Sequence, residues 1–376
     1  MNRPGSSASR ARVGLVLAGG GIAGYGFHTG ALSALQAATG WDPTGADVIV
    51  GTSSGSIVAA LLRAGVATDE LRRGVLEPGP GAETDALLSS LVGVDAFAWP
   101  RPRWGDGALG LITAEVTRPW RERRFRPAHL LAGLLPVGRV STEPLRQLIA
   151  PLHPDGWPEQ PLWIPVTDDR TGERVVFGRP QPGGDTEPGG DTGAGGETGT
   201  GGDTEPGGET GAGGETGADP AGKTTSEWPD VATAVQASCA IPGYFAPVAH
   251  GGRHYLDGGI GAADNADLLV GAGMDVVVIL SPLSIDDFDL PFAPVTSALR
   301  AYPRRRLGES VRRLTDDGVD VLVVEPDRSL SVAMGWTAMA TRRLRRVVEA
   351  SERQVAQQLA ADPQPAALAA LAALSA

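Results

Sequence analysis

The stretch VLAGGGIAGYGFHTGAL, residues 16–32, joins an apolar run to a helical pattern through three consecutive glycines. This order is typical of a β-strand that turns directly into a helix. Gly19, Gly21 and Gly24 satisfy G-x-G-x-x-G, the spacing of a dinucleotide-binding turn. The same glycines are equally suited to a loop whose backbone N–H groups receive an oxyanion. The stretch therefore predicts a strand–turn–helix unit and leaves its ligand open.

Composition and charge favour a globular protein of one or two domains. The chain has 376 residues, a hydrophobic content of 41% and a single cysteine, Cys239, which excludes an internal disulfide and a zinc site built on cysteines. Because no apolar run is long enough to span a bilayer, we expect no transmembrane helix. The first apolar run leads straight into glycines, so we expect a strand there instead of a signal peptide, and a cytoplasmic location.

The formal net charge of -12 comes largely from one low-complexity segment. Residues 183–218 are six hexapeptides of the type GGDTEP or GGETGA, which contain eight acidic residues and no basic one. Such a segment lacks the apolar side chains needed to offset the entropy lost on ordering. We therefore predict a disordered insertion at residues 183–219. Outside it the charge is ordinary, and no motif indicates nucleic-acid binding, a metal cluster or a cofactor.

The rest of the chain alternates between strand and helix patterns, and its strands are uniformly apolar, which predicts an α/β fold with a mainly parallel sheet covered on both faces. Strands are expected at 13–18, 47–50, 162–166, 174–178, 275–281 and 320–325, and helices at 22–38, 54–64, 143–150, 229–238, 263–272 and 334–360. We predict a flexible N-terminus (1–11), one domain (12–360) with a variable cap region (66–140), and a C-terminal tail (361–376) without an assigned role.

A second motif supplies a candidate nucleophile. Gly51-Thr52-Ser53-Ser54-Gly55 is G-x-S-x-G between a predicted strand and a predicted helix, the context of a nucleophile elbow. A turn that only caps the helix is the alternative. An activated serine needs a base. No histidine follows residue 254, although two predicted strands do, which disfavours a Ser-His-Asp triad. Asp257, at the end of a short strand and before two glycines, is the other candidate, although Asp-Gly is also a common turn.

Taken together, these segments resemble the patatin-like phospholipases, which are related to the catalytic core of cytosolic phospholipase A2. The segments that match in the family's order are GLVLAGGGIAG (14–24), GTSSGS (51–56), ASCAIPGYFAPV (237–248) and YLDGG (255–259). The stretches VTDDRTGERVVFG (166–178) and NADLLVGAGMDVVVILSP (265–282) also look familial. The resemblance implies a three-layer patatin-like fold and a serine acyl hydrolase that cleaves carboxylic esters of lipids without a cofactor.

The resemblance also implies a role for individual residues. Ser53 would be the nucleophile of a Ser-Asp dyad and Asp257 its general base, with a pKa raised by burial. The glycines of the matching segments would have two roles. Three would form the oxyanion hole (Gly19, Gly20, Gly21), and five would support the elbow and the loops (Gly24, Gly51, Gly55, Gly258, Gly259). The family commonly carries Arg or Lys where this chain has Ala23. Acyl-ester hydrolysis is therefore a firmer expectation than phospholipid cleavage.

Two alternative functions remain open from the sequence. One is a catalytically silent scaffold with the same fold. The other is a nucleotide-binding protein that uses the glycine loop, which would need an acidic residue at the end of a second strand about 20 residues beyond the glycines. Asp42 follows a predicted helix and Asp47 begins a strand, which disfavours nucleotide binding. We expect an acyl-ester substrate, and peripheral membrane contact through the arginine-rich residues 118–127; the oligomeric state is not predicted.

Overall fold

The computed structural model describes residues 10–77, 111, 127–135, 137–180, 228–284, 293–335, 339, 341–361 and 364–375. The chain divides into two units, residues 180–227 and the remainder. Nearly all of that segment, including the predicted insertion, lies outside the described residues. The architecture below is that of the remaining unit.

One eight-stranded sheet forms the centre of this unit, in the order β5-β6-β3-β2-β1-β7-β8, with β4 paired to β3. Five neighbouring strands, β3, β2, β1, β7 and β8, are parallel, whereas β4 and β6 run antiparallel to β3. The strands are β1 (Val13–Leu17), β2 (Val48–Gly51), β3 (Leu162–Asp168), β4 (Arg174–Phe177), β5 (Val248–His250), β6 (Arg253–Asp257), β7 (Val276–Leu280) and β8 (Asp320–Val324).

Ten α-helices lie in the described part of the chain. They are α1 (Gly21–Thr39), α2 (Ser54–Arg63), α3 (Thr68–Leu76), α4 (Pro127–Leu134), α5 (Glu143–Ile149), α6 (Val231–Ser238), α7 (Ala293–Asp316), α8 (Arg328–Met334), α9 (Leu344–Ala360) and α10 (Pro365–Ala373). Asp230 and Asp327 cap α6 and α8 by accepting a backbone N–H from the first helical turn.

The sheet is covered on both faces, as the uniformly apolar strands require. Alternate side chains of β1 point to opposite faces, so Leu15 and Leu17 belong to one buried cluster and Val16 to another. The first cluster includes residues of α1, α2 and α9, and the second includes Leu307 and Leu314 of α7. The predicted α/β class with a mainly parallel, doubly covered sheet is confirmed.

Close packing of α1 against α9 explains one of the glycines in the opening stretch. A Cβ atom at Gly30 would lie 2.4 Å from the carbonyl oxygen of Val348 in α9. The two helices can therefore approach closely because position 30 carries no side chain.

The predicted strands and four of the predicted helices agree with the structure to within a few residues. The predicted helix at 263–272 is wrong, since this segment contains only a short 3-10 helix, Ala266–Leu269. Asn265 has a left-handed backbone (φ 53°) and Asp264 accepts the Ala266 N–H, so the chain turns here instead of continuing a helix.

The predicted helix at 334–360 is also wrong as a single element. Helix α8 ends at Met334, and the next residue, Gly335, has a φ of 75°. A 3-10 turn, Thr341–Arg343, then leads into α9. Helix α7 is absent from the predicted elements; its sequence contains Pro303, a residue type that ordinarily ends or kinks a helix.

Glutamine side chains and the C-terminal helix cover the open edge of the sheet at β8. The Val323 N–H donates to Gln364, just before α10, and the Val323 carbonyl accepts from Gln358 of α9. Leu371 of α10 is fully buried. The C-terminal residues therefore belong to the packed structure.

Candidate active site

Ser53 lies in a sharp turn between β2 and α2. Its backbone has φ 51° and ψ -123°, and together with Asn265 it is one of two non-glycine residues with positive φ in the described part of the chain. A Cβ at Gly55 would lie 2.0 Å from the Leu17 carbonyl oxygen, and one at Gly51 would lie 2.7 Å from the Ala59 Cβ. Both glycines are therefore needed for the close approach of strand and helix in a nucleophile elbow.

Hydrogen bonds hold the backbone of Ser53 in this strained conformation. Its N–H donates to the Ser238 hydroxyl at 3.0 Å, and that hydroxyl donates to the Pro165 carbonyl at 2.8 Å. The Ser56 hydroxyl donates to the Ser53 carbonyl at 2.6 Å. A residue in a sparsely populated region of φ/ψ persists only when its surroundings impose it, and here α6, β3 and α2 do so.

Asp257 ends β6 and faces Ser53. Strand β3 pairs with Ile49 and Val50 of β2, and the last three residues of β3 pair with β6. The end of β6 therefore reaches the region where β2 turns. The carboxylate accepts the Gly259 N–H at 2.7 Å and lies close enough to the Ser53 side chain for that side chain to lower its pKa. A Cβ at Gly258 would lie 2.1 Å from the Pro165 carbonyl oxygen, so the chain after Asp257 passes directly against β3.

Burial makes Asp257 an unusually basic carboxylate. The residue is 7% exposed. Desolvation raises its pKa from 3.8 to about 6, and the Gly259 N–H and the nearby Ser53 side chain oppose that rise in pKa. A carboxylate with this pKa is ionised at neutral pH and accepts a proton more readily than an exposed aspartate does.

The glycine loop, residues 19–24, lies beside the elbow. A Cβ at Gly19 would lie 3.3 Å from the Ser53 Cβ, and one at Gly24 would lie 2.7 Å from the Ser54 hydroxyl oxygen. Helix α1 begins at Gly21, whose φ is 60°. The positive end of a 19-residue helix therefore starts next to Ser53, where negative charge would be stabilised.

The three glycines expected to form the oxyanion hole are not equivalent. The Gly19 N–H donates to the Ala263 carbonyl at 3.0 Å and is therefore already occupied, contrary to the expectation. The N–H groups of Gly20 and Gly21 have no backbone acceptor within the described residues. Two of the three expected donors are thus available in this geometry.

His28 holds the start of the glycine loop. It is fully buried in α1, and its Nε2 lies 2.7 Å from the Ala18 carbonyl oxygen. Burial lowers the His28 pKa to about 4, so the ring is neutral near pH 7 and its N–H can donate to that carbonyl. Of the other histidines, His153 contacts the Ala60 carbonyl and His254 is exposed.

An apolar cavity of about 30 Å³ opens beside Ser53. Among the described residues that line it, none carries a charge. They are Gly21, Ile22, Tyr25, Ser53, Ser54, Ile57, Thr142, Leu145, Cys239, Ile241, Phe245 and Met339. The cavity is suited to a short hydrocarbon group and not to an anionic one.

Sequence reasoning missed two neighbours of Ser53, namely Ser238 and Cys239. Cys239 lies against Ser53 and Asp257, with its sulfur 3.9 Å from the Ser56 hydroxyl. Burial raises the pKa of the thiol, so it remains neutral. Both residues belong to the familial segment ASCAIPGYFAPV, whose position beside the elbow was the available signal.

Asp42 and the arginine-rich segment are the remaining features considered from the sequence. Asp42, considered for a nucleotide ribose, accepts the Thr44 N–H at the start of a 3-10 turn. The arginine-rich residues 118–126 fall outside the described part of the chain. Across the described ranges, no helix has the length and apolarity to cross a bilayer, and no group of three or more His, Cys, Asp or Glu side chains is placed to hold a metal ion.

Comparison with known proteins identifies a family for most of the chain. The model of the patatin-like phospholipase family matches residues 15–270. No curated protein matches the chain. Among solved structures, VipD from Legionella pneumophila is similar over 94% of this chain and 68% of its own, with 14% sequence identity and a TM-score of 0.38.

Proposed function

This chain belongs to the patatin-like phospholipase family, and we propose that it hydrolyses a carboxylic ester of an acyl lipid through an acyl-Ser53 intermediate. The observation that carries the proposal is the position of the buried carboxylate of Asp257 beside the Ser53 side chain, close enough for the hydroxyl to lower the carboxylate's pKa. A serine hydroxyl is a weak nucleophile until a base accepts its proton, and Asp257 is the acceptor in contact with it.

The reaction follows from these contacts in two stages. Ser53 Oγ attacks the ester carbonyl carbon while its proton passes to Asp257. The bond to the alcohol then breaks, and the alcohol leaves with that proton. Water next attacks acyl-Ser53 and gives a proton to Asp257, which returns it to Ser53 Oγ as the carboxylic acid departs. Both stages pass through an oxyanion, and the N–H groups of Gly20 and Gly21 are the proposed donors.

The substrate is an uncharged acyl ester in this proposal. The lining of the cavity beside Ser53 is uncharged in the part of the chain that the structure describes, and position 23, where the family commonly has Arg or Lys, is a buried alanine. A cavity needs roughly 10–15 Å³ of free volume for each water-sized group. A volume of about 30 Å³ therefore accommodates an acyl chain of a few carbons in this conformation.

We expect kcat/KM to be highest on neutral esters with short acyl chains. A series of p-nitrophenyl esters from acetate to palmitate should show an optimum at or below hexanoate, because methylenes beyond the cavity gain none of the about 0.8 kcal/mol that burial supplies for each one and must be accommodated outside it. Leu145→Ala, which enlarges the cavity, should move the optimum to longer chains. Faster hydrolysis of phosphatidylglycerol vesicles than of the neutral esters would contradict this selectivity.

Covalent labelling tests the proposed mechanism directly. After exposure to a fluorophosphonate probe, we expect mass spectrometry to find one adduct per chain and peptide mapping to locate it on Ser53. An adduct on another serine would reject Ser53 as the nucleophile. Folded protein that forms no adduct and hydrolyses no ester would instead indicate a catalytically silent scaffold.

A further inference from the structure

Asn265 lies in the interior of the protein, in contact with Thr52 of the elbow. It is fully buried, and its backbone has a φ of 53°. It ends the connecting loop, residues 258–265, which begins directly after Asp257. Asparagine adopts this left-handed conformation more readily than other residues with a Cβ, so the position suits its backbone as well as its side chain.

The Asn265 amide group joins the two halves of the proposed dyad. Its Nδ2 donates to the Thr52 hydroxyl at 3.0 Å and to the Ala262 carbonyl at 2.7 Å, with the Gly258 carbonyl at 3.4 Å. Thr52 directly precedes Ser53 and Gly258 directly follows Asp257. One amide group therefore contacts the elbow and the loop that carries the base.

A partly buried ion pair fixes the orientation of that amide. The Arg174 guanidinium donates to Asn265 Oδ1 at 3.0 Å and to both carboxylate oxygens of Asp267 at 2.8 Å. Because a guanidinium has no acceptor, it must face the amide oxygen. The NH₂ group of Asn265 is thereby directed at Thr52 and the connecting loop.

The connecting loop also contacts the glycine loop. The Ala263 carbonyl accepts the Gly19 N–H at 3.0 Å. The segment that ends at Asn265 thus contacts the elbow, the residue after Asp257 and the glycine loop. A shift of Asn265 would alter the distances between the nucleophile, the base and the proposed oxyanion donors together.

We propose that Asn265 is a positioning residue that holds Asp257 and the glycine loop in register with Ser53. This inference rests on the proposed acyl-ester hydrolysis. Asn265 does not face the cavity beside Ser53, so it acts on the rate of acyl transfer and not on substrate binding.

The test compares Asn265→Gly, which retains the left-handed backbone, with Asn265→Asp, which retains the shape but loses both amide donors. Thr52→Val removes the same hydrogen bond from the other partner and leaves Asn265 in place. In each full-length variant, kcat per Ser53 site titrated with fluorophosphonate should fall roughly 10- to 100-fold, with KM changed less than about threefold. Titration excludes unfolded molecules, so lost stability alone does not lower this value.

Thr39→Val is the matched control. Thr39 is buried and donates to the Leu35 carbonyl, at the end of α1 remote from Gly21. It should lose stability and keep kcat per titrated site. If the wild type hydrolyses esters and the Asn265 and Thr52 variants equal it in kcat per site, the positioning role is overturned. A wild type that neither reacts with the probe nor hydrolyses esters overturns the proposed function as well.

Discussion

Replacing Ser53 by alanine or glycine is expected to abolish ester hydrolysis, and the glycine variant is expected to be the more stable of the two. Removing the nucleophile of a comparable serine hydrolase lowers kcat by about 10⁶-fold, so we expect a loss of at least about 10⁴-fold here. The positive φ of Ser53 places it in a region where residues with a Cβ carry about 1–3 kcal/mol of strain. Glycine relieves this strain and alanine does not.

Urea denaturation of both variants measures the difference, which we expect to be about 1 kcal/mol in favour of glycine after its larger entropy loss is subtracted. Ser351, buried within α9, supplies the matched control pair. There the order should reverse, because glycine in a helix interior is about 1 kcal/mol less stable than alanine. Both Ser351 variants should retain hydrolysis. Equal stability of Ser53→Ala and Ser53→Gly would show that the turn stores no strain.

Asp257→Asn is expected to lose activity and to gain stability at neutral pH. An amide cannot accept the Ser53 proton, so kcat should fall by about 10⁴-fold or more. In the wild type, kcat/KM should rise with pH through about 6, where Asp257 ionises, and then level off. Asp168→Asn is the control, since Asp168 is a buried aspartate of the same sheet with no contact to Ser53 in the proposed mechanism.

The stability gain follows from the pKa of Asp257 in the folded and unfolded states. Its pKa is about 6 in the folded protein and 3.8 in the unfolded chain, so the folded state holds the proton more tightly. Protonated Asp257 therefore adds to the free energy of unfolding below pH 4, and this contribution is lost as the pH rises through 6. The loss amounts to at most about 3 kcal/mol at pH 7. The asparagine side chain of the variant carries no charge to bury. The variant's advantage in urea denaturation should therefore grow from pH 4 to pH 7, and a constant difference would contradict the raised pKa.

The sequence predicted the parts of the site that depend on local patterns. The elbow and the strand–turn–helix at residues 16–32 combine glycine spacing with neighbouring apolar runs, and both recur in the structure. The helix predicted at 263–272 failed because side-chain hydrogen bonds and the left-handed Asn265 turned the chain, which apolar periodicity does not reveal. Residues 118–126 remain a membrane-contact prediction outside the described structure.

Relations between distant segments were beyond the sequence. The occupation of the Gly19 N–H depends on Ala263, more than 240 residues along the chain, and on the loop that carries it. The contact of Asn265 with Thr52 and that of Ser238 with Ser53 likewise depend on how strands pair. Asn265, six residues after the Asp257-Gly258-Gly259 segment, is visible in the sequence, but its hydrogen-bond partners are not.

The glutamine contacts at β8 bear on how this protein behaves at high concentration. An outermost strand with unpaired N–H and C=O groups is a template on which another chain can add, and it promotes aggregation. Val323 offers both groups at that edge, and Gln358 and Gln364 occupy them. Truncation before Gln364 would free the Val323 N–H and uncover the apolar surface that Leu371 fills. Gln358, Gln364 and α10 therefore cover a strand edge on which another chain could otherwise add.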